Sequence, residues 1–211
     1  MRRAFDLAAA AAAAVVLAPV MAVIAVAIRV TMGRPVLFRQ PRSGLGGEEF
    51  SIAKFRTMRH PRFDDEPDAA RLTRTGHVLR STSLDELPQL WNVLRGEMGI
   101  IGPRPTLPEQ VVHYSAHQRR RLEMRPGITG YAQVKGRNSI LWPERIELDI
   151  WYIDHRTLLL DVRILVTTVR NLFKREGITG PGGVNQGCPI PAAPPEPDSP
   201  APPEPEPAGE Q

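Results

Sequence analysis

The sequence contains a single cysteine, Cys188, and it lies in a Pro-rich tail. That excludes an internal disulfide and any zinc-finger spacing, in keeping with a reducing compartment. No cysteine follows the N-terminal apolar run, so a lipoprotein anchor is not expected there. Aromatic residues make up only 6% of the chain, and no run interleaves them with basic residues. Stacking platforms of the kind that grip single-stranded nucleic acid are missing, and no nucleic-acid partner is expected. Internal repeats are absent. Lysine and arginine are absent from Pro181 to Gln211, a segment with five acids and 11 of the 22 prolines. Such a composition cannot bury a core, so 181–211 reads as a disordered tail with polyproline character.

The remainder is basic. Of 211 residues, the first 180 carry 27 basic against 18 acidic side chains, a net of +9 within an overall +4. A chain of this length builds one domain with a real core. A basic body points to an anionic partner, here phospholipid headgroups or a phosphorylated substrate.

Leu7 to Ile28 is an uncharged apolar run of 22 residues. As a helix it would extend about 33 Å, enough to cross a bilayer. A signal peptide has a shorter apolar region, about 7–15 residues. Arg2 and Arg3 precede the run, and Arg29 and Arg34 follow it. Positive charge marks the cytoplasmic side, so both ends prefer that side. Pro19 near the middle removes a backbone hydrogen bond. A helix that enters the membrane, bends at Pro19 and returns meets both preferences.

Val36 to Gln40 and Glu49 to Ile52 read as strands joined by a hairpin turn in Ser43-Gly-Leu-Gly-Gly47. If the second strand continues, Lys54 and Arg56 share one face and could grip a diphosphate. Solvated strand charges are the plainer alternative. Further on, 108–124 looks helical, with a basic stripe at Arg119 to Arg121 and His113 and His117 one turn apart. Tyr131 to Lys135 reads as a strand, and Glu144 to Ile153 as a helix. The stretch 158–176 is amphipathic: Leu158, Val162, Leu165, Val166, Val169, Leu172 and Phe173 share one face. That face suits a core or a membrane interface, and the apolar N-terminal run favours the interface.

The most informative stretch runs from Arg80 to Pro105. Asp85 and Glu86 sit side by side, followed by Leu87, Leu90, Trp91 and Leu94 at helical spacing and a stop at Gly96. Ser83-Leu-Asp-Glu86 fits a helix-capping box, and acids suit a first turn. Pro88 argues against it, because a helix capped by Ser83 would carry Pro88 too deep.

Together, Lys54-Phe-Arg-Thr-Met58, Ser83-Leu-Asp-Glu-Leu-Pro-Gln-Leu-Trp-Asn-Val93, Gly102-Pro-Arg-Pro105 and Pro126-Gly-Ile-Thr-Gly130 resemble the bacterial sugar transferase family over roughly residues 1–180. These are small monotopic phosphoglycosyl transferases. The resemblance implies an α+β fold: a mainly helical, membrane-associated domain with an N-terminal re-entrant helix broken at Pro19, interfacial amphipathic helices and a small β-hairpin or sheet. Family members commonly have Ser where this chain has Ala18, just before the proline. The implied division is a membrane helix at 1–34, a catalytic domain at 35–180 on the cytoplasmic face of the inner membrane, and the tail at 181–211. The implied activity is transfer of a sugar 1-phosphate from a UDP-sugar to polyprenyl phosphate, with UMP released and membrane lipids as surroundings. It assigns the nucleophile to Asp85 and Mg²⁺ to Glu86, which the residues alone do not tell apart. Lys54, Arg56, Arg80, Arg104 and Arg137 become candidate ligands of the anionic substrates. A non-catalytic membrane scaffold for glycan assembly is the alternative, with the acidic pair reduced to a cap.

Overall fold

The computed structural model describes residues 2–136 and 140–174. Arg137 and the tail, both assigned above, lie outside the described residues. Helix α1 spans Arg2–Thr31. Pro19 lies inside it, and the helix runs on past it: a proline removes one donor, and here the turns on either side are held by packing. Leu17 sits against a cluster of Ala10, Ile52, Leu90, Val93 and Met98. Met21 sits against a second cluster of Ile24, Ile28, Phe55 and Leu79. One stripe of α1, alanine-rich in its first half, therefore packs along the body. Small residues allow that close approach. The other side carries exposed valines, including Val15, Val16, Val23 and Val30.

Strands β1 (Leu37–Ser43) and β2 (Glu49–Phe55) form the expected antiparallel hairpin, longer than its sequence signal. Short helices α2 (Asp68–Arg71) and α3 (Arg74–Ser81) follow. Thr73 caps α3 by accepting a hydrogen bond from the Gly76 amide. Gly76 itself touches the strand side: a Cβ there would meet the Thr57 carbonyl oxygen at 1.9 Å. A 3₁₀ segment, Leu84–Gln89, leads into α4 (Leu90–Arg95), which stops at Gly96 in the left-handed conformation.

Strand β3 (Gly99–Ile101) pairs in parallel with β4 (Gly127–Thr129). Between them, the single helix expected over 108–124 is replaced by α5 (Pro108–Val111), α6 (Ala116–Arg119) and a 3₁₀ turn, Arg120–Glu123. Ser115 breaks the run, because its side chain caps α6. Arg121 leaves the expected surface stripe and is buried. Tyr131–Lys135 is helix α7, where a strand was expected; the strand ends earlier, in β4. Helix α8 (Trp142–Asp154) is where the sequence placed it, and α9 covers Leu158–Lys174.

Helix α9 turns Ile164 and Asp161 inward against Tyr152 and leaves Leu158, Val162, Val166, Val169 and Leu172 exposed. Most of the apolar face read from the sequence therefore faces outward, as an interface helix requires, while Leu165, expected on that face, packs against the Tyr152 cluster. The Phe173 side chain lies outside the described residues. The observed architecture is mainly helical with two small two-stranded sheets. Among the described residues, α1 alone is long and apolar enough to cross a membrane.

Candidate active site

Glu86 is the centre of the site. Its Oε1 accepts from Lys54 Nζ at 2.6 Å and from Arg104 Nη2 at 2.9 Å. Three separate pieces of chain meet here. Strand β2 delivers Lys54, the 3₁₀ segment Leu84–Gln89 delivers the acidic pair, and the Gly102-Pro-Arg-Pro105 turn delivers Arg104. The turn is braced by close backbone packing: a Cβ on Gly127 would lie 2.1 Å from the Gly102 amide nitrogen.

The capping explanation of Asp85-Glu86 does not hold. Ser83 has φ 57°, in the left-handed region, and its side chain caps nothing. No cap is needed for a 3₁₀ segment that carries Pro88 inside it. The Glu86 carboxylate instead meets Lys54 and Arg104.

The two acids differ in their surroundings. Burial drives Glu86 towards the neutral form, but Lys54 and Arg104 outweigh it and hold the carboxyl well below the usual range. Asp85 is half-buried and accepts no hydrogen bond from the described residues. Burial, with the Glu86 charge next to it, pushes its pKa up to about 6, against the pull of Lys54, Arg80 and Arg104. Burial also lowers the Lys54 pKa, and Glu86 opposes that shift. One neighbour is thus a clamped anion, and the other an under-solvated carboxylate poised near neutrality.

Arg80 stands on the Asp85 side, and its Nε donates to Thr57 Oγ1 at 3.0 Å. Arg56 does not join the group. It lies beyond β2, and its guanidinium donates to the backbone carbonyls of Met32, Gly33 and Arg34, just past α1. The expected diphosphate grip by Lys54 and Arg56 is therefore split: Lys54 meets Glu86, and the Arg56 guanidinium holds the chain just past α1 instead.

Two features escaped the sequence. Arg42 on β1 lines the same cavity as Lys54, Glu86 and Arg104. Arg121 pairs with Asp149 at 2.7 Å in the interior and donates to the Arg104 carbonyl at 2.9 Å. Strand alternation could have found Arg42 once the hairpin register was known. No local signal marks Arg121, which sits within a run of three arginines. A groove with an acidic pair and converging cations fits phosphoryl chemistry, in which charge must be neutralised around a positioned nucleophile.

The profile of the bacterial sugar transferase family matches residues 1–175. An uncharacterized sugar transferase of Bacillus subtilis, EpsL, is 48% identical over 72% of this chain and 76% of its own length. A UDP-glucose:undecaprenyl-phosphate glucose-1-phosphate transferase of Caulobacter vibrioides is 44% identical over 82% of this chain and 69% of its own. An undecaprenyl-phosphate glucose phosphotransferase of Komagataeibacter xylinus is 40% identical over 82% of this chain but only 36% of its own length.

Proposed function

The chain belongs to the bacterial sugar transferase family, and we propose that it is the enzyme that moves a sugar 1-phosphate from a UDP-sugar to polyprenyl phosphate, releasing UMP. The observation that carries this reading is the contrast within the acidic pair: Glu86 clamped by two cations, Asp85 beside it without a hydrogen bond from the described residues and raised towards neutrality. A scaffold would have no use for such an arrangement. The acceptor is a long-chain lipid phosphate such as undecaprenyl phosphate, and the product begins a cell-surface glycan.

In this mechanism an oxygen of the Asp85 carboxylate attacks the sugar-bearing phosphorus of the donor. A bond forms from Asp85 to that phosphorus. The bond to the bridging oxygen breaks, and UMP leaves with the electron pair. An oxygen of polyprenyl phosphate then attacks the aspartyl phosphosugar. The Asp85 carboxylate is regenerated, and the sugar stays on a polyprenyl diphosphate. Lys54, Arg80 and Arg104 offset the diphosphate charge throughout. Two steps let a water-soluble donor and a membrane-bound acceptor use one site in turn.

The residues fit a magnesium ion of the kind held by one or two carboxylates together with phosphate oxygens and water. Among the described residues no group of three or more acids, histidines or cysteines converges, so a site made of protein alone is not the fit. Glu86 Oε2 takes no hydrogen bond from them, while Oε1 is occupied by the two cations. Glu86 would hold the ion, which when bound would neutralise phosphate charge. Glu86→Gln is expected to lower turnover and raise the magnesium concentration that turnover needs.

The same proposal places the enzyme on the cytoplasmic face of the inner membrane, with α1 re-entrant. What supports this is that both ends of α1 return to the same body. Arg3 donates to the Met98 and Val93 carbonyls at 2.9 and 2.6 Å, and Arg56 holds the chain just past the other end. A helix that spanned the bilayer would leave one of those ends on the far side.

The decisive experiment gives purified protein a UDP-sugar without acceptor. The peptide containing Asp85 should gain the mass of a phosphosugar as UMP appears, and Asp85→Asn should abolish both. If no adduct forms and UMP release requires both substrates bound together, the covalent route is wrong.

A further inference from the structure

Among the described residues, the lining of the cavity beside Glu86 carries three cations and one acid. Arg42, Lys54 and Arg104 all line it, with Gln89 and Pro105. Glu86 is the acid at its centre, and its Oε1 is committed to Lys54 and Arg104. Arg42 forms no ion pair with any described carboxylate. Its Nη2 donates to Gln40 Oε1 at 2.7 Å and its Nη1 to the Pro105 carbonyl at 3.4 Å. Its Nε is buried with no hydrogen-bond partner.

Arg42 is placed there by the hairpin. The register pairs Phe38 with Lys54, Gln40 with Ile52 and Arg42 with Phe50. Directly paired residues share a face, as do alternate residues along a strand, so Arg42 and Lys54 point the same way. Pro105, which receives Nη1, belongs to the turn that carries Arg104. The guanidinium is thus held between two elements of the site rather than swinging in solvent.

The charges are also ordered. Asp85 lies within the field of Lys54, Arg80 and Arg104. Arg42 interacts with Arg104, Glu109 and Glu86. The cavity is lined by Arg42, Lys54, Glu86 and Arg104 and by neither Asp85 nor Arg80, so Arg42 meets the Lys54–Glu86–Arg104 group from the cavity side, with Asp85 outside that lining. Burial, with Arg104 adding to it, lowers the Arg42 pKa to about 10, and the two glutamates only partly offset this. A bound anion would reverse that penalty.

We propose that Arg42 holds the nucleotide-side phosphate of the donor, the one that leaves as UMP. This rests on the transferase reading above. If Asp85 attacks the sugar-bearing phosphorus, the phosphate beyond it lies further along the groove, towards Arg104 and Arg42. A guanidinium there takes up charge as the bridging oxygen departs, and its planar fork suits phosphate oxygens.

The test is calorimetric titration of the full chain in detergent with UMP and, separately, with glucose 1-phosphate at fixed ionic strength. A charged hydrogen bond contributes enough that Arg42→Gln should weaken UMP binding about ten- to a hundredfold. Glucose 1-phosphate should change less than about twofold, because its phosphate belongs at the Asp85 end. Equal losses for both ligands would reduce Arg42 to a general charge and overturn the assignment, and so would unchanged UMP affinity. If the Gln variant fails to fold, Arg42→Lys keeps the charge without the fork and should weaken UMP several-fold; full affinity in a folded Lys variant overturns the proposal. Wild-type protein that binds neither UMP nor UDP-sugar would remove the transferase reading itself, a result distinct from an Arg42 effect.

Discussion

Arg121 and Asp149, 28 positions apart in the chain, form a 2.7 Å ion pair inside the protein, and the same guanidinium holds the backbone of Arg104. Tyr114 completes the arrangement, accepting from Arg121 Nη1 at 3.0 Å and donating to Thr106. A buried pair of this kind positions the turn that reaches Glu86. Removing one partner of a buried pair costs about 3–5 kcal/mol because the other charge is left uncompensated. Asp149→Ala is therefore expected to destabilise the fold by about that amount, measured by denaturant unfolding. A loss under 1 kcal/mol would mean that the pair is not buried in solution.

Asp85 should show its position in two pH profiles. Its carboxylate is the reacting form, so UMP release from donor alone should fall as pH drops through about 6. Stability should run the other way. A carboxyl whose folded pKa lies above its unfolded value favours the fold when protonated, and that contribution is lost as pH rises through about 6. Asp85→Asn should consequently melt above wild type at pH 8, with the gap closing by pH 4. An Asn variant that melts below wild type at pH 8 would show that the ionised side chain is stabilised rather than strained.

Arg56 separates a structural from a substrate-binding role. Its guanidinium serves three backbone carbonyls after α1, and it stays away from Glu86. Hydrogen bonds from a charged group contribute about 1.5–3 kcal/mol. Arg56→Gln should lower the melting temperature and leave the donor KM within about twofold, since the lost bonds are to backbone. A large rise in KM with unchanged melting would return Arg56 to the diphosphate.

Topology is open to a direct check. With Arg3 bound to the Val93 and Met98 carbonyls, a tag before Arg2 should be as cytoplasmic as one after the last residue. Labelling with an impermeant reagent in intact cells reads both. An N-terminal tag reached from outside would show that α1 spans the membrane. Pro19→Leu strengthens the same test, because a straighter helix is more prone to cross.

Much of this protein is written in local pattern. The apolar run of α1, the hairpin, the stop at Gly96 and helix α8 follow from hydrophobic period and turn chemistry acting within a few residues. The acidic pair and its arginines were legible because their motifs are contiguous. The direction of α9 was legible only in part: its apolar face is plain, but Ile164 and Asp161 turn inward and the larger stripe turns outward. The packed stripe of α1 was hidden, because alanine and valine leave both sides of the helix apolar.

Tertiary structure alone decided the rest. It parted Arg56 from Lys54, two residues apart, by giving Lys54 to Glu86 and Arg56 to the carbonyls just past α1. It brought Lys54 to Glu86 across 32 positions and Arg121 to Arg104 across 17. It also set the hairpin register that adds Arg42 to the pocket. The residue pattern determines which side chains are available and which faces are apolar, because those preferences act over a turn or two. Which charges meet depends on strand register and on buried contacts between distant segments, where each cation goes to the partner that best offsets its desolvation.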